Sequence, residues 1–301
     1  MEGRDAPASG PDERAQRSSN DRLTLAAVSG LVLAVGALYG PVLLKLWRDW
    51  QSDESYSHGV LVAPIAALLV WRQRDRLRRL PRRPSSGGLA IVIASLMLFA
   101  AGSLAAELFS TRISLIGLLA GTIVYVFGWK HLRVAAFPVS FLVFMIPLPA
   151  LMLDQMTQSL QLIASGMGEQ LLRAAAIPVL RDGNVLTLPT ITLNVTDACS
   201  GVRSLVALLA ITSLVAYLDE PTTASAAALT LSAVPLAIGL NGVRIAFTGM
   251  AAARFGPQVA QGFIHEASGW AMFVVAFLLI WLLHRVMRAA RPSLGTTLEH
   301  A

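Results

Sequence analysis

The chain is poor in charged residues, and this shortage limits what it can be. Charged residues make up 14% of the 301 positions, whereas an average soluble domain carries about 25%. Apolar residues make up 55%, and they come in blocks close to the ~20 residues that a membrane-spanning helix needs. A soluble core cannot absorb this much apolar surface. The composition therefore predicts a membrane protein without a separately folded polar domain.

Cysteine is almost absent as well. The only one, Cys199, leaves no partner for an intrachain disulfide, and no CxxC pair or cysteine–histidine cluster offers a metal site. We therefore expect no metal and no cofactor. Because a lone cysteine is most often an inert apolar residue, its sequence surroundings must decide whether Cys199 has a chemical role.

The net charge of +6 raises the question of nucleic-acid binding, but the positions of the basic residues argue against it. They lie in short segments between the apolar blocks, as topology signals do. The densest segment holds seven arginines between Arg72 and Arg83. Because short basic loops stay in the cytoplasm, we predict a multi-pass protein of the plasma (inner) membrane with both termini in the cytoplasm.

The apolar blocks predict an all-α polytopic membrane protein with about eight transmembrane helices. Three regions are expected: a disordered cytoplasmic tail over residues 1–22, a transmembrane domain over 23–291 and a cytoplasmic tail over 292–301. The predicted spans are residues 23–46, 59–71, 88–106, 113–127, 134–153, 199–218, 224–250 and 267–284.

The longest segment between spans falls on the predicted outer face, and its two halves differ in pattern. Residues 154–176 have apolar side chains at helical spacing, which predicts an amphipathic helix lying on the membrane interface. Residues 185–188 and 191–195 are short and rich in β-branched residues, and 181–184 have the composition of a turn. We expect this second half to form a small hairpin-like cap on the outer face, because open strands cannot lie in hydrocarbon.

Cys199 is predicted to lie at the start of the sixth span. Asp197 is a plausible N-cap residue, which would put Cys199 in the first helical turn, where the helix N-terminus favours a thiolate. Arg203 follows four residues later on the same helical face. Arg203 could lower the pKa of the thiol, or it could pair with a backbone carbonyl and hold helices together.

Two further residues fall at the same predicted membrane face. Arg244 lies near the outer end of the seventh span, and His265 opens the eighth. Each has a structural alternative, since an arginine can extend to the headgroups and an interfacial histidine often has no chemical role. Together with Cys199 they supply a thiolate, an oxyanion donor and an acid, which are the groups that acyl transfer requires.

The chain resembles the exosortase/archaeosortase family, and the similarity covers roughly residues 47–281. The nucleophile motif corresponds to residues 198–205 (ACSGVRSL), the arginine motif to 241–245 (NGVRI) and the histidine motif to 265–270 (HEASGW). Residues 56–59 (YSHG) and 144–149 (FMIPLP) also resemble family signatures. A histidine in the third motif favours the bacterial exosortase branch.

The resemblance implies a membrane-embedded cysteine transpeptidase or protease that acts through a thioester acyl-enzyme. The implied substrates are exported proteins whose C-terminal tail carries a Pro-Glu-Pro motif, a spanning helix and a basic cluster. The implied catalytic residues are Cys199 as nucleophile, Arg244 as catalytic arginine and His265 as acid and base, with Arg203, Asn241 and Ser200 in supporting roles.

Other hypotheses remain open at this stage. The intramembrane arginines and the proline-broken fifth span also fit a transporter or channel. A third hypothesis is a non-catalytic scaffold of envelope polysaccharide assembly. Under the enzyme hypothesis, we also expect a link to exopolysaccharide machinery. His58 lies in an outer loop, where a structural role is favoured over a place in the site.

Overall fold

The computed structural model describes residues 11–53, 56–195, 201–256 and 263–289, and it describes no side chains at 11–29, 31–32, 203 and 263–267. The described chain is helical apart from one small sheet. Its helices are α1 (Pro11–Ser52), α2 (Gly59–Arg72), α3 (Arg74–Arg79), α4 (Ser86–Leu104), α5 (Leu108–Val126), α6 (Trp129–Phe141), a 3₁₀ turn (Leu142–Met145), α7 (Ala150–Ala174), α8 (Val202–Asp219), α9 (Thr223–Phe255) and α10 (Phe263–Ala289).

Four of the described helices are long and apolar enough to cross a membrane. They are α4, α5, α9 and residues 268–289 of α10. A fifth span results if α6, its 3₁₀ turn and α7 count as one broken element. Helices α2 and α8 are apolar but shorter. The chain is therefore an all-α membrane protein, and the expected count of eight spans is not confirmed among the described residues.

Helix α1 reaches further toward the N-terminus than the sequence predicted. It begins at Pro11, inside the segment 1–22 that was expected to be a disordered tail, and residues 1–10 lie outside the described part. Proline suits the first helical position because its missing N–H needs no partner there. Once the apolar stretch forms a helix, adding each preceding residue is easier than starting a new helix.

The fifth predicted span is broken at two of its prolines. The chain bends by 82° between the 3₁₀ turn and α7. Pro147 and Pro149 lie in the break, where they remove backbone donors and disfavour helical conformations in the preceding residues. Helix α7 then runs unbroken from Ala150, so the end of span five and the predicted interfacial helix form one element.

Helix α7 is amphipathic, as predicted, but it packs against α9 with its small and polar face. The buried positions are Gln161, Ala164, Ser165, Gly168 and Leu172. Of the apolar side chains that were expected at an interface, Ile163 is 50% and Leu171 is 40% exposed, whereas Met167 is partly buried beside Gly242 of α9. Small residues allow two helices to approach closely. The apolar side chains Ile163 and Leu171 remain exposed on the outside of the bundle.

The predicted hairpin has a third strand. Strands β1 (Leu180–Asp182), β2 (Val185–Thr187) and β3 (Thr192–Asn194) form an antiparallel sheet in the order β1-β2-β3. Gly183 takes a φ of +60° in the turn between β1 and β2, a conformation that glycine adopts without strain. The predicted turn residues Arg181 and Asp182 belong to β1 instead.

The two ends of the helix bundle differ, and we name them by their contents. The basic end carries the arginine-rich segment 72–83, and the sheet end carries β1 to β3. At the basic end, Gln73 Nε2 donates to Tyr217 Oη at 2.6 Å and so joins the end of α2 to the end of α8. At the opposite end of α2, Trp50 Nε1 donates to the carbonyl of Met145 at 2.9 Å.

Helices α4 and α5 approach each other unusually closely. A Cβ atom on Gly88 would lie 2.2 Å from the backbone nitrogen of Tyr125, and one on Gly121 would lie 2.8 Å from the backbone nitrogen of Val92. Only glycine fits at such separations, so these two positions set the distance between the helices.

Candidate active site

Helix α9 places Arg244 about one membrane thickness from its first residue. The helix is capped by Thr222, whose hydroxyl accepts a hydrogen bond from the backbone nitrogen of Ser225 at 3.1 Å. At ~1.5 Å per residue, the stretch from Thr223 to Arg244 is about 32 Å long. The hydrocarbon core of a bilayer is ~30 Å thick, so a helix that entered it at Thr223 would bring Arg244 to the opposite boundary, at the sheet end.

Helix α10 brings Ser268 to the same height. The stretch from Ser268 to the end of the helix at Ala289 is also about 32 Å long by the same rise. Buried apolar residues hold α8, α9 and α10 together between their two ends: Leu205, Leu208, Ala216, Leu229, Ala233, Ala237, Ala276 and Ile280.

Arg244 is joined to α10 by a direct hydrogen bond. Its Nε atom donates to Ser268 Oγ at 3.1 Å, and Ser268 is 8% exposed. The next residue, Gly269, supplies the space: a Cβ atom there would lie 3.3 Å from Nη2, 3.5 Å from Cζ and 3.6 Å from Nη1 of Arg244. The guanidinium therefore lies against the backbone of α10.

A small cavity of about 40 Å³ lies beside Arg244 between α8, α9 and α10. A single water needs roughly 10–15 Å³ by this measure, so the cavity can admit water or a small chemical group. Arg244, Asn241 and Ser204 form its polar wall. The rest of the wall is apolar or small: Leu208, Ala237, Leu240, Gly269, Met272, Phe273 and Ala276.

Asn241 links this cavity to the start of α8. It is 8% exposed and lies one turn from Arg244 on α9. It also lines a narrow crevice together with Gly201 and Leu205. The amide of Asn241 is thus placed between the beginning of α8 and the guanidinium of Arg244.

The sheet and α7 support the part of α9 that carries Arg244. A Cβ on Gly168 would meet the Cγ2 atom of Ile245 at 2.7 Å, and one on Gly242 would meet the Cβ of Met167 at 2.8 Å. One buried cluster connects α7, the sheet and α9: Ala164, Leu172, Leu186, Leu188, Val195, Ile245 and Ala246. Packing on both sides of Arg244 limits the movement of the helix that bears it.

The predicted start of the sixth span needs a correction. Helix α8 begins at Val202, and Gly201 occupies its N-cap position with a φ of +58°. The prediction that Asp197 caps this helix is therefore wrong. The left-handed backbone of Gly201 turns the chain at the point where the helix begins, and glycine is the residue that tolerates this conformation best.

The predicted site residues differ in what the structure describes of them. Cys199 and Ser200 lie outside the described residues. Arg203 lies in the first turn of α8 and His265 in the first turn of α10, but their side chains are outside the description. Arg244 and Asn241 are fully described and line the same cavity. The roles given to these residues stay predictions.

Ser204, Ser268 and Gly269 were not assigned a role from the sequence, although the three line the cavity or contact Arg244. Helical spacing could have identified two of them, because Ser268 and Gly269 are three and four residues after His265 and share its helical face. Within the described residues, no group of three or more histidine, cysteine, aspartate or glutamate side chains could hold a metal ion.

The second polar region at the sheet end of the bundle is separate from this cavity. Tyr56 is 8% exposed, and burial raises the pKa of its hydroxyl, against the lowering effect of a hydrogen bond with the backbone of Leu148. His58 precedes α2 as its N-cap residue. Gly59 packs against the ring of Trp50, where a Cβ would lie 2.3 Å from Nε1. Neither Tyr56 nor His58 is among the described residues that line the cavity beside Arg244, and the structural role favoured for His58 stays a prediction.

The comparisons with known proteins give one match. The family model of the transmembrane exosortase matches residues 50–282, which is well over half of the chain. No curated protein and no solved structure matches the chain. The matched range contains α2 to α9, the sheet and the part of α10 that contacts Arg244. The chain belongs to the transmembrane exosortase family.

Proposed function

We propose that this protein is a membrane-embedded cysteine transpeptidase or protease that cleaves C-terminal sorting signals of exported proteins. One observation carries the proposal: the guanidinium of Arg244 is held beside the cavity where α8, α9 and α10 meet. Each of these helices contains or directly follows one of the three motifs that resemble the catalytic motifs of the family.

Chain connectivity supports the inclusion of Cys199. Gly201 lines a crevice together with Asn241, and Asn241 also lines the cavity with Arg244. Cys199 precedes Gly201 by two residues, and two residues of extended chain span at most about 7 Å. The Cα atom of Cys199 is therefore within about 7 Å of a residue that lines the crevice, which supports the proposed role of Cys199 as nucleophile.

The proposed chemistry is acyl transfer in two steps. The thiolate of Cys199 attacks the scissile carbonyl carbon, and Arg244 donates hydrogen bonds to the oxyanion that forms. The carbon–nitrogen bond then breaks as protonated His265 gives a proton to the leaving amine, which leaves a thioester on Cys199. Water or an amine finally attacks the thioester, neutral His265 accepts a proton from that nucleophile, and the carbon–sulfur bond breaks to release the thiolate. Hydrolysis gives a protease, and attack by an amine gives a transpeptidase.

The proposed orientation places the basic end in the cytoplasm. The arginines between Arg72 and Arg83 are exposed there, and short basic segments remain on the cytoplasmic side. The sheet end then faces the outside of the inner membrane, and with it the cavity beside Arg244. This orientation suits a substrate that is exported first and held in the membrane by a C-terminal helix. We propose a tail with a Pro-Glu-Pro motif, a spanning helix and a basic cluster.

The test is co-expression with a tagged reporter that ends in such a tail. Processing is followed by gel for the wild-type protein, Cys199→Ala and the control Ser232→Ala, whose hydroxyl bonds within its own helix to the carbonyl of Leu229. We expect the wild-type protein and the control to shorten the reporter and Cys199→Ala to leave it intact. Equal processing by Cys199→Ala would contradict the assignment of the nucleophile.

The single cysteine allows a second, direct test. Because the chain has no other thiol, an acyl group transferred from the reporter to sulfur can be located only at Cys199. Intact-mass spectrometry of the purified protein should show an adduct that hydroxylamine removes, and Cys199→Ala should show none. An adduct that resists hydroxylamine would exclude a thioester.

A transporter is the second candidate, and the 82° break between the 3₁₀ turn and α7 favours it. Discontinuous helices line substrate sites in many transporters. Purified protein in liposomes should then move a solute, and Cys199→Ala should move it equally well. Loss of reporter processing in Cys199→Ala would decide for the enzyme.

A further inference from the structure

We infer that Ser268 is a positioning residue that fixes the guanidinium plane of Arg244 for the proposed acyl transfer, and that Gly269 gives the guanidinium room in this position. The inference rests on the proposed function for its catalytic consequence. Its structural part, the fixed orientation of Arg244, can be tested without any substrate.

The nitrogen of Arg244 that bonds Ser268 determines how the guanidinium is oriented. Ser268 Oγ accepts a hydrogen bond from Nε of Arg244. A bond at Nε fixes the rotation of the guanidinium about its last side-chain torsion and directs the edge with the terminal nitrogens away from the serine. A hydrogen bond at a terminal nitrogen would use a donor of the edge that has to face the oxyanion.

The guanidinium contacts the backbone of α10 at Gly269. Nη1, Nη2 and Cζ all lie 3.3–3.6 Å from the position that a Cβ on residue 269 would take. At 3.3 Å such a contact is tight, so an added methyl group would displace the terminal nitrogens by a few tenths of an ångström. Gly269 and Arg244 both line the cavity, so this displacement occurs where the reacting group would bind.

Holding Arg244 in a fixed orientation favours the reaction energetically. Oxyanion donors accelerate a reaction when they are already in place as charge develops. An arginine side chain has several rotatable bonds, and ordering it during the reaction would add to the barrier. Ser268 is a buried residue with 8% of its surface exposed, so it gives the guanidinium a partner that water competes for poorly.

Ser268 and Gly269 are on the same helix as His265. Positions 265, 268 and 269 lie on one face of α10, since residues three and four apart are neighbours on a helix. The helix that carries the proposed acid therefore also carries the group that orients the proposed oxyanion donor. Both would keep their relative height if α10 tilted or shifted as a rigid body.

The experiment uses the full-length protein and compares Ser268→Ala, Ser268→Thr and Gly269→Ala. Two matched controls are Ser232→Ala and Gly239→Ala, where the added Cβ meets nothing within 4 Å. Two quantities are measured for each protein. The first is kcat and KM for the reporter tail. The second is the rate at which phenylglyoxal modifies Arg244, followed by peptide mass spectrometry in the absence of substrate.

We expect Ser268→Ala to lower kcat by about 10- to 100-fold with a smaller effect on KM, because loss of orientation acts on the reacting geometry. Arg244 should react several-fold faster with phenylglyoxal in this variant. Ser268→Thr keeps the hydroxyl and should restore both values toward wild type. Gly269→Ala should lower kcat, whereas both controls should match the wild-type protein.

The outcomes test the orienting role of Ser268 and its catalytic consequence separately. Unchanged phenylglyoxal reactivity in Ser268→Ala overturns the positioning role, whatever happens to processing. Faster modification with unchanged kcat overturns its catalytic relevance. If the wild-type protein processes no tail, the proposed function fails while the labelling rates still decide whether Ser268 orients Arg244. Loss of folding in a variant is excluded by requiring a wild-type elution profile and thermal transition.

Discussion

Arg112 on α5 forms an ion pair with Asp49 near the end of α1, and the arginine side chain is 3% exposed while that of the aspartate is 31% exposed. The pair joins the first helix to the fifth at the end of the bundle opposite the arginine-rich segment. A buried guanidinium is tolerated only with a partner that compensates its charge.

Asp49→Asn should destabilise the protein by about 3 kcal/mol, because it leaves the buried Arg112 without its counter-charge. The partial exposure of Asp49 keeps the loss at the lower end of the range for buried pairs. The double variant Asp49→Asn/Arg112→Met should be more stable than Asp49→Asn alone. Thermal unfolding in detergent measures both. If the double variant is less stable than Asp49→Asn, the unpaired charge of Arg112 is not the cause of the destabilisation.

Gly88→Ala should destabilise the contact between α4 and α5 by about 1–3 kcal/mol or more, since the new methyl group would lie 2.2 Å from a backbone nitrogen that cannot rotate away. Gly36→Ala in α1 is the matched control, because a Cβ there meets nothing within 4 Å. The control should be neutral or slightly stabilising, as alanine favours helices. Equal transition temperatures for the two variants would contradict the close approach of α4 and α5.

Glu107 caps α5 by accepting hydrogen bonds from the backbone nitrogens of Phe109 at 2.7 Å and Ser110 at 2.6 Å. Burial raises the pKa of the Glu107 carboxyl, but these hydrogen bonds and the charge of Arg112 outweigh it, so the pKa lies below its usual value of 4.5. A lowered pKa in the folded state means that the charged form stabilises the fold. The contribution is complete above the ordinary pKa and is lost as pH falls through the lowered one.

Glu107→Ala should therefore cost about 1 kcal/mol at neutral pH. The difference in transition temperature between the wild-type protein and Glu107→Ala should be constant from pH 7 to about 5 and should shrink below pH 4.5. Glu107→Gln keeps a neutral acceptor, so its stability relative to Glu107→Ala should not depend on pH. A difference that grows toward acid would give the opposite sign and contradict the lowered pKa.

Arg244→Lys should lower kcat for the reporter tail by about 100-fold or more. Lysine keeps the positive charge but lacks the planar group that bonds Ser268 through Nε and still presents two further nitrogens. Arg254→Lys, an exposed change in the last turn of the same helix, should leave kcat unchanged. A fully active Arg244→Lys would reduce the role of Arg244 to charge alone.

The sequence predicted the features that depend on composition and periodicity. Apolar blocks identified most of the helices, the arginines between Arg72 and Arg83 identified one end of the bundle, and the prolines of the fifth span indicated that it is broken. These signals are local, because each depends on what a residue does to its own segment. The prediction of strands at β2 and β3 had the same basis.

What the sequence did not reveal depends on contacts between distant segments. The buried face of α7 follows from the glycines and small residues with which it packs on α9, and hydrophobic periodicity alone predicted an amphipathic helix without identifying α9 as its partner. The start of α8 follows from the left-handed backbone at Gly201, while Asp197 offered an equally plausible cap. Ser268 gains its interest only once Arg244 is seen beside it, since a serine in a membrane helix usually bonds within its own helix.

The cap at Thr222 and the site at Arg244 lie on one uninterrupted helix, so the number of residues between them acts as a ruler. One inserted residue would lift the guanidinium by ~1.5 Å and swing it by about 100° around the helix axis, away from Ser268. Two inserted turns would restore its face but raise it by about 11 Å out of register with α10. Related chains should therefore vary in length around the loops and the tails, and keep this stretch free of insertions and deletions.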